Sequence, residues 1–291
     1  MKKLLHLRLL GFVALAVLAA ACARKHSLAD IKTGAEKGLA EDQFALGVAY
    51  FKGEGVPQDY AQAAQWYRKA AVQRHVKAQA NFASLCYLGK GVQQDFTAAL
   101  HWYREAAAQG NAHAMYNVAV MTSHGQGTAP DEKEALVWYR KAAEAGQVQA
   151  QLRLGDMISA MHGTEKDIAE AAQWLRKAAE QGNAQAQNSL GVCYEKGMGM
   201  PADHDKALDL YHKAALQGEP RAQMNLGLMY RASGNYAEAL YWLLLGAQQG
   251  ELMALKQKQA LLDSGKITPS QAEEIGRRAK AFQPTRAGGG Q

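Results

Sequence analysis

The chain has 291 residues, 48% of them hydrophobic and 21% charged, a balance that supports a folded core and excludes wholesale disorder. Its formal charge of +6 falls to +3 once the leader cations Lys2, Lys3 and Arg8 are set aside. So mild an excess argues against nucleic acid as a partner, and there is no arginine-rich run or RNA-binding aromatic motif to argue for it.

The chain opens as a targeting segment. Lys2 and Lys3 form a basic start, and an apolar run without a charge follows from Leu9 to Ala23. That run is shorter than the roughly 20 residues of a spanning helix. It ends in small residues, Ala19 to Ala21, as a signal-peptidase site requires, so residues 1–21 are read as a signal peptide. Leu18-Ala19-Ala20-Ala21-Cys22 also resembles a bacterial lipobox, with Leu18 one place further from the cysteine than in that pattern. The resemblance implies lipidation of Cys22 and, with Ala23 instead of a retaining aspartate after it, the outer membrane. The alternative is a soluble periplasmic protein cut after Ala21 or Ala23. A membrane role would then be anchorage through lipid at Cys22 and not a spanning helix.

Residues 22–39 read as a linker with a capping helix over residues 28–37. From residue 40 the chain repeats in steps of 36. Trp66-Tyr67-Arg68-Lys69-Ala70-Ala71 returns at Trp102, Trp138 and Trp174, and in worn form as Leu210-Tyr211-His212-Lys213-Ala214-Ala215. Gly110, Gly146, Gly182 and Gly218 keep the same step, and a last unit carries Trp242 and Gly250. Such a period is the signature of stacked two-helix units. In the first unit, residues 42–52 place Leu46, Ala49 and Tyr50 on one helical face, and Gly53-Glu54-Gly55 breaks that helix. Asp59 caps the next helix, whose buried stripe is Ala63, Trp66, Tyr67 and Ala70. Small residues at Gly47, Ala83, Ala119, Gly155, Gly191 and Gly227 allow the paired helices to approach closely. After the array, residues 252–263 and 270–282 form a closing pair, with Thr268 or Ser270 as cap and Pro269 near the start. The tail, 283–291, carries three glycines and is expected to be disordered.

This pattern, A-x-A-Q-x-x-L-G-x-x-Y, then G-x-G-V, then W-Y-x-K-A-A-x-x-G, resembles the Sel-1-like repeat family, relatives of the tetratricopeptide repeats. It covers six units over residues 40–251, starting at Ala40, Val76, Ala112, Val148, Ala184 and Pro220. Met161-His162-Gly163 lacks one loop glycine, and the last unit lacks the usual insertion. The resemblance implies an all-α fold, a right-handed α-α superhelix (solenoid) of stacked helical hairpins.

Chemistry-bearing motifs are scarce. The G-x-G loops recur at the repeat period with no strand before them, so they read as structural and not as phosphate cradles. There is no H-x-x-x-H pair or cysteine–histidine spacing for a metal, and no S-x-x-K serine motif. Neither a metal nor a cofactor is expected. Cys86 and Cys193 lie three units apart on apolar faces, too far for a disulfide, and read as buried thiols.

A binding surface is easier to place. Four positions of each first helix share one face at spacings of 4, 3 and 4, namely Glu41, Ala45, Val48 and Lys52 in the first unit. In tetratricopeptide relatives this face lines the concave groove. Its second position reads Ala45, Asn81, Asn117, Arg153, Ser189 and Asn225. By that resemblance Asn81, Asn117 and Arg153 stand where such domains clamp peptide carboxylates, with Lys77, Ser84, His113, Asp156 and Arg221 on the same face. The favoured expectation is a non-enzymatic envelope adaptor holding a protein or peptide. The alternative is a peptidoglycan- or glycan-directed protein with β-lactamase-like or wall-hydrolase-regulating activity. A third reading is a self-assembling spacer.

Overall fold

A computed structural model describes residues 27–160 and 164–285. The signal peptide, Cys22, the Met161-His162-Gly163 loop and residues 286–291 lie outside the described residues. Among those described there are fifteen helices and no strand. A lone helix, α1 (Leu28–Glu36), precedes six hairpins. These are α2 (Ala40–Lys52) with α3 (Tyr60–Val72), α4 (Val76–Leu88) with α5 (Phe96–Ala108), and α6 (Ala112–Ser123) with α7 (Glu132–Glu144). The next three are α8 (Val148–Ala160) with α9 (Glu165–Glu180), α10 (Ala184–Lys196) with α11 (His204–Leu216), and α12 (Pro220–Ala232) with α13 (Tyr236–Gln248). The closing pair is α14 (Leu252–Asp263) and α15 (Pro269–Lys280). They fall into two compact units, one of residues up to 114 with 125–129, the other of 115–124 with 130 onwards. Within each unit the hairpins stack in chain order, as expected for an α-solenoid.

Local sequence explains the element ends. The second helices begin at Asp59, Asp95, Asp131 and Asp203, whose carboxylates accept the free backbone N–H groups of the first turn. First helices α2, α4 and α10 stop at Gly53, Gly89 and Gly197, all left-handed. The second glycine of the loop answers a different need. A side-chain carbon on Gly91 would lie 2.2 Å from the Tyr60 carbonyl, so the G-x-G loop rests on the start of the preceding hairpin's second helix. The fourth hairpin departs from this scheme. Asp167 stands in the capping register, yet Thr164 caps α9 a turn earlier and Asp167 becomes its capping-box partner. Within hairpins, a side-chain carbon on Gly47 would lie 2.6 Å from the Tyr67 ring and one on Gly191 2.7 Å from Tyr211, so these glycines do permit close helix contact.

A buried glutamine pair recurs through the array. Gln43, Gln79, Gln151, Gln187 and Gln223 are buried. Each donates from Nε2 to a carbonyl eight residues back, at the end of the preceding second helix, over 3.1–3.3 Å. Each Oε1 in turn accepts from the C-cap glutamine of its own hairpin (Gln73, Gln109, Gln181, Gln217 or Gln249) at 2.7–2.8 Å. The third hairpin has Met115 and Ala145 at the two positions, so donor and acceptor are lost together. This agrees with the high cost of leaving one buried partner unmade.

The closing pair docks on the last hairpin. Thr268 caps α15 in a capping box with Gln271, with Pro269 in the first turn. Arg278 makes a two-pronged ion pair with Glu238, at 2.7 and 2.9 Å. Glu238 is thereby turned away from Trp242, whose buried indole N–H finds no acceptor. Gln283 to Thr285, expected within a disordered tail, are instead fixed. The Thr285 N–H donates to the Leu216 carbonyl at 2.8 Å, and Pro284 lies against Gly218, because the free carbonyls at the α11 C-terminus offer acceptors. Cys86 and Cys193 are both buried and free, and burial pushes both thiols up.

Candidate partner-binding site

The face singled out on the first helices is floored by tyrosines from the second helices. In the first unit Asn81 is half-buried and hydrogen-bonds the Tyr67 phenol. Ser84 likewise reaches Tyr103, whose hydroxyl burial pushes up to about 12. Lys77 is exposed beside them. His113 is exposed and Asn117 half-buried on α6, and both already have interaction partners.

In the second unit the face is more strongly charged. Arg153 and Asp156 project from α8 one turn apart, and Arg221 from α12; all three meet solvent. The Asp156 carboxyl is nevertheless ringed by enough protein that desolvation holds it above the usual carboxylate range, although Arg153 and Arg221 both pull it down. Tyr139 stands near Arg153, its hydroxyl pushed up to about 12 by burial. Asn225 donates to Oδ1 of Asn188 at 2.9 Å, and the Tyr211 hydroxyl donates to Glu195 at 2.7 Å.

Sequence reasoning placed the arginines and asparagines but missed what lies under them. Tyr67, Tyr103, Tyr139 and Tyr211 were read only as core, and Asn188 and Glu195 not at all. A signal was available, because a phenol recurring at a core position must send its hydroxyl to a partner. Among the described residues no group of histidine, cysteine, aspartate or glutamate could hold a metal, and no helix is long and apolar enough to cross a membrane.

Stacked 36-residue hairpins whose second-helix tyrosines are buried beneath the first helices define an α-solenoid of helical hairpins. The Sel1 repeat pattern matches residues 40–75, 76–111, 112–147, 148–183, 184–219 and 220–251, and the chain belongs to the Sel1 repeat family. Among solved structures it is similar to a protective antigen present in uropathogenic Escherichia coli strains that displays an SLR fold, with 34% identity and a TM-score of 0.76. That match covers 86% of this chain and 55% of the antigen, so the chain spans about half the antigen's length. A Sel1 repeat protein from Oxalobacter formigenes is also 34% identical, with a TM-score of 0.66, covering 80% of this chain and 96% of that one. No curated protein matches the chain.

Proposed function

We propose that the chain is an exported, non-enzymatic scaffold that holds a partner protein or peptide end on its first-helix face, through Arg153, Asp156, Arg221 and Asn225. Support for export comes from the basic, apolar and small-residue run of residues 1–22, with Cys22 as the lipid anchor. The observation that carries the binding role is Asp156. Its exposed acid shares the face with two exposed guanidiniums and is held above the usual carboxylate range by desolvation although both pull it down, the kind of perturbed group that functional sites collect. Arg153 and Arg221 can each take a carboxylate in two-pronged fashion, while Asp156 can take a backbone or lysine N–H. Asn117 belongs to the same unit, and Lys77, Asn81 and His113 carry the same reading separately in the first unit, with part of the hydrogen-bonding capacity of Asn81 committed to Tyr67.

Affinity capture from envelope extract, using the mature chain and its Arg153→Ala/Arg221→Ala form, tests this. The expected result is a protein retained by the first and lost by the second, with equal helicity in both. Retention of the same proteins by both would overturn the assignment.

A further inference from the structure

The second helices of the hairpins carry a surface of their own, and in the second unit one residue pattern links them in sequence. Arg140 on α7 donates to Glu170 on α9 at 3.0 Å. Glu170 also accepts from the Trp174 indole N–H, one turn on, at 3.3 Å, as Glu134 does from Trp138 at 3.1 Å. Thirty-six residues later, the register of Arg140, Glu170 and Trp174 is occupied by Arg176, Lys206 and Leu210. The acid has become a base and the indole a leucine at one and the same place.

Two consequences follow. Arg176 has lost its carboxylate. Among the described residues its guanidinium hydrogen-bonds only the Tyr194 hydroxyl, at 3.3 Å, and it shares the cleft with Lys206, close enough for the two charges to repel. Where an indole would pack, a cleft of about 450 Å3 opens, floored by Leu190 and Leu210 and walled by Tyr194. Lys206 is tied to Asp203 at 2.8 Å and Lys213 to Asp209 at 2.6 Å, so among the described residues of the cleft Arg176 is the cation without an ion pair. Glu180 also lines the cleft. The depression is open to solvent, and an apolar floor with a few directed polar groups is the composition of a ligand site.

We propose that this cleft is a second binding site, for a segment of a partner protein that presents an aromatic side chain beside a carboxylate. The partner would bring the ring and the acid that the fourth hairpin supplies from its own chain as Trp174 and Glu170. The ring fills the space above Leu210 and Leu190, and the carboxylate pairs with Arg176 and Lys206. This site lies between α9, α10 and α11, at α10 positions other than those of the first-helix face.

The test uses the full mature chain and a labelled, end-blocked helical peptide with Glu and Trp four residues apart, followed by fluorescence anisotropy. Two control peptides carry Gln for Glu or Ala for Trp. The protein variants are Lys206→Glu and Leu210→Trp, singly and together, each installing the side chain that the fourth hairpin already carries. The expected result is binding by the unaltered chain that falls at least tenfold for the double variant and for either control peptide. Arg153→Ala should leave binding unchanged. A higher Tm for the double variant is also expected, since it would refill the cleft. Equal affinity of the unaltered chain and Lys206→Glu, or of the Glu and Gln peptides, would overturn the proposal. So would no binding at millimolar peptide, or loss of binding in Arg153→Ala. Lys206→Glu alone, at an exposed side chain, keeps the test valid if Leu210→Trp folds poorly.

Discussion

The buried glutamine pair offers a sharp test of how the hairpins are held. Gln79 is 1% exposed. Its Nε2 donates to the Ala71 carbonyl at 3.2 Å and its Oε1 accepts from Gln109 at 2.7 Å. Gln109→Ala removes the donor and leaves the Gln79 oxygen buried and unmatched, which costs about 1–3 kcal/mol. Gln79→Met keeps the volume, and the Ala71 carbonyl still accepts from the Arg74 N–H at 2.9 Å. Gln109 then loses its strong acceptor but is only part-buried, so the loss is nearer the lower end, about 1 kcal/mol. The double variant reproduces the Met115 and Ala145 pair native to the third hairpin. Its loss should not exceed that of Gln109→Ala alone, giving a coupling of about 1 kcal/mol or more between the sites. Urea unfolding of the four proteins measures this, each kcal/mol corresponding to about 2–4 °C in a parallel thermal scan. Strictly additive losses would refute the reasoning, because the pair would then not be the unit that the third hairpin dispensed with.

Three further outcomes are expected. Gly91→Ala should destabilise by about 3 kcal/mol or more, since its side chain meets the Tyr60 backbone at positive φ. Gly110→Ala, with the same sign of φ but open space around it, should lose only about 1–2 kcal/mol; equal losses in thermal unfolding would refute the packing argument. Tyr103 and Tyr139 titrate at about 12 in the fold against about 10 in an unfolded chain. Their phenols are favoured protonated, so their contribution is intact below pH 10 and falls between pH 10 and 12, after the raised Cys86 and Cys193 thiols have begun the loss from about pH 9; a Tm flat between pH 10 and 12 would contradict this. Asp156 is raised by burial, so its charge opposes folding above the ordinary carboxylate range. Asp156→Asn should therefore raise Tm at pH 7 and leave it unchanged below pH 3; an unchanged or lower Tm at pH 7 would contradict the raised acid.

Much of the architecture is legible because the physics repeats. Tryptophan and glycine at a fixed step, an aspartate before four of the six second helices and a small residue where helices touch locate the hairpins without any structure. The α2 helix begins at Ala40, two residues ahead of the expectation, because backbone alone starts it: Leu39 makes no side-chain cap. The glutamine pairing was hidden although its column is plain in the sequence. The two partners are 30 residues apart, and only packing shows that the ends of two helices meet there. The asparagine column was equally visible, but its chemistry is set by neighbours that a one-dimensional pattern cannot supply. Asn81 answers a tyrosine, and Asn225 answers Asn188, an asparagine found only in the fifth hairpin. The cleft beside Leu210 was likewise passed over as a worn copy of the motif, since a missing tryptophan becomes a void only where a neighbouring helix stays in place.

The diversion of Glu238 to Arg278 bears on how such arrays change length over evolution. Glu134 and Glu170 serve the tryptophan of their own helix, and Glu238 occupies the same register ahead of Trp242. The terminal helix therefore borrows a group that the third and fourth hairpins use for themselves. If a lineage inserted another hairpin before the cap, the released carboxylate would have an indole N–H within one turn, and Trp242 would regain the hydrogen bond it lacks. The last hairpin thus already holds the residues of an internal one, so growth at this end would demand a new resting place for Arg278 and little redesign behind it.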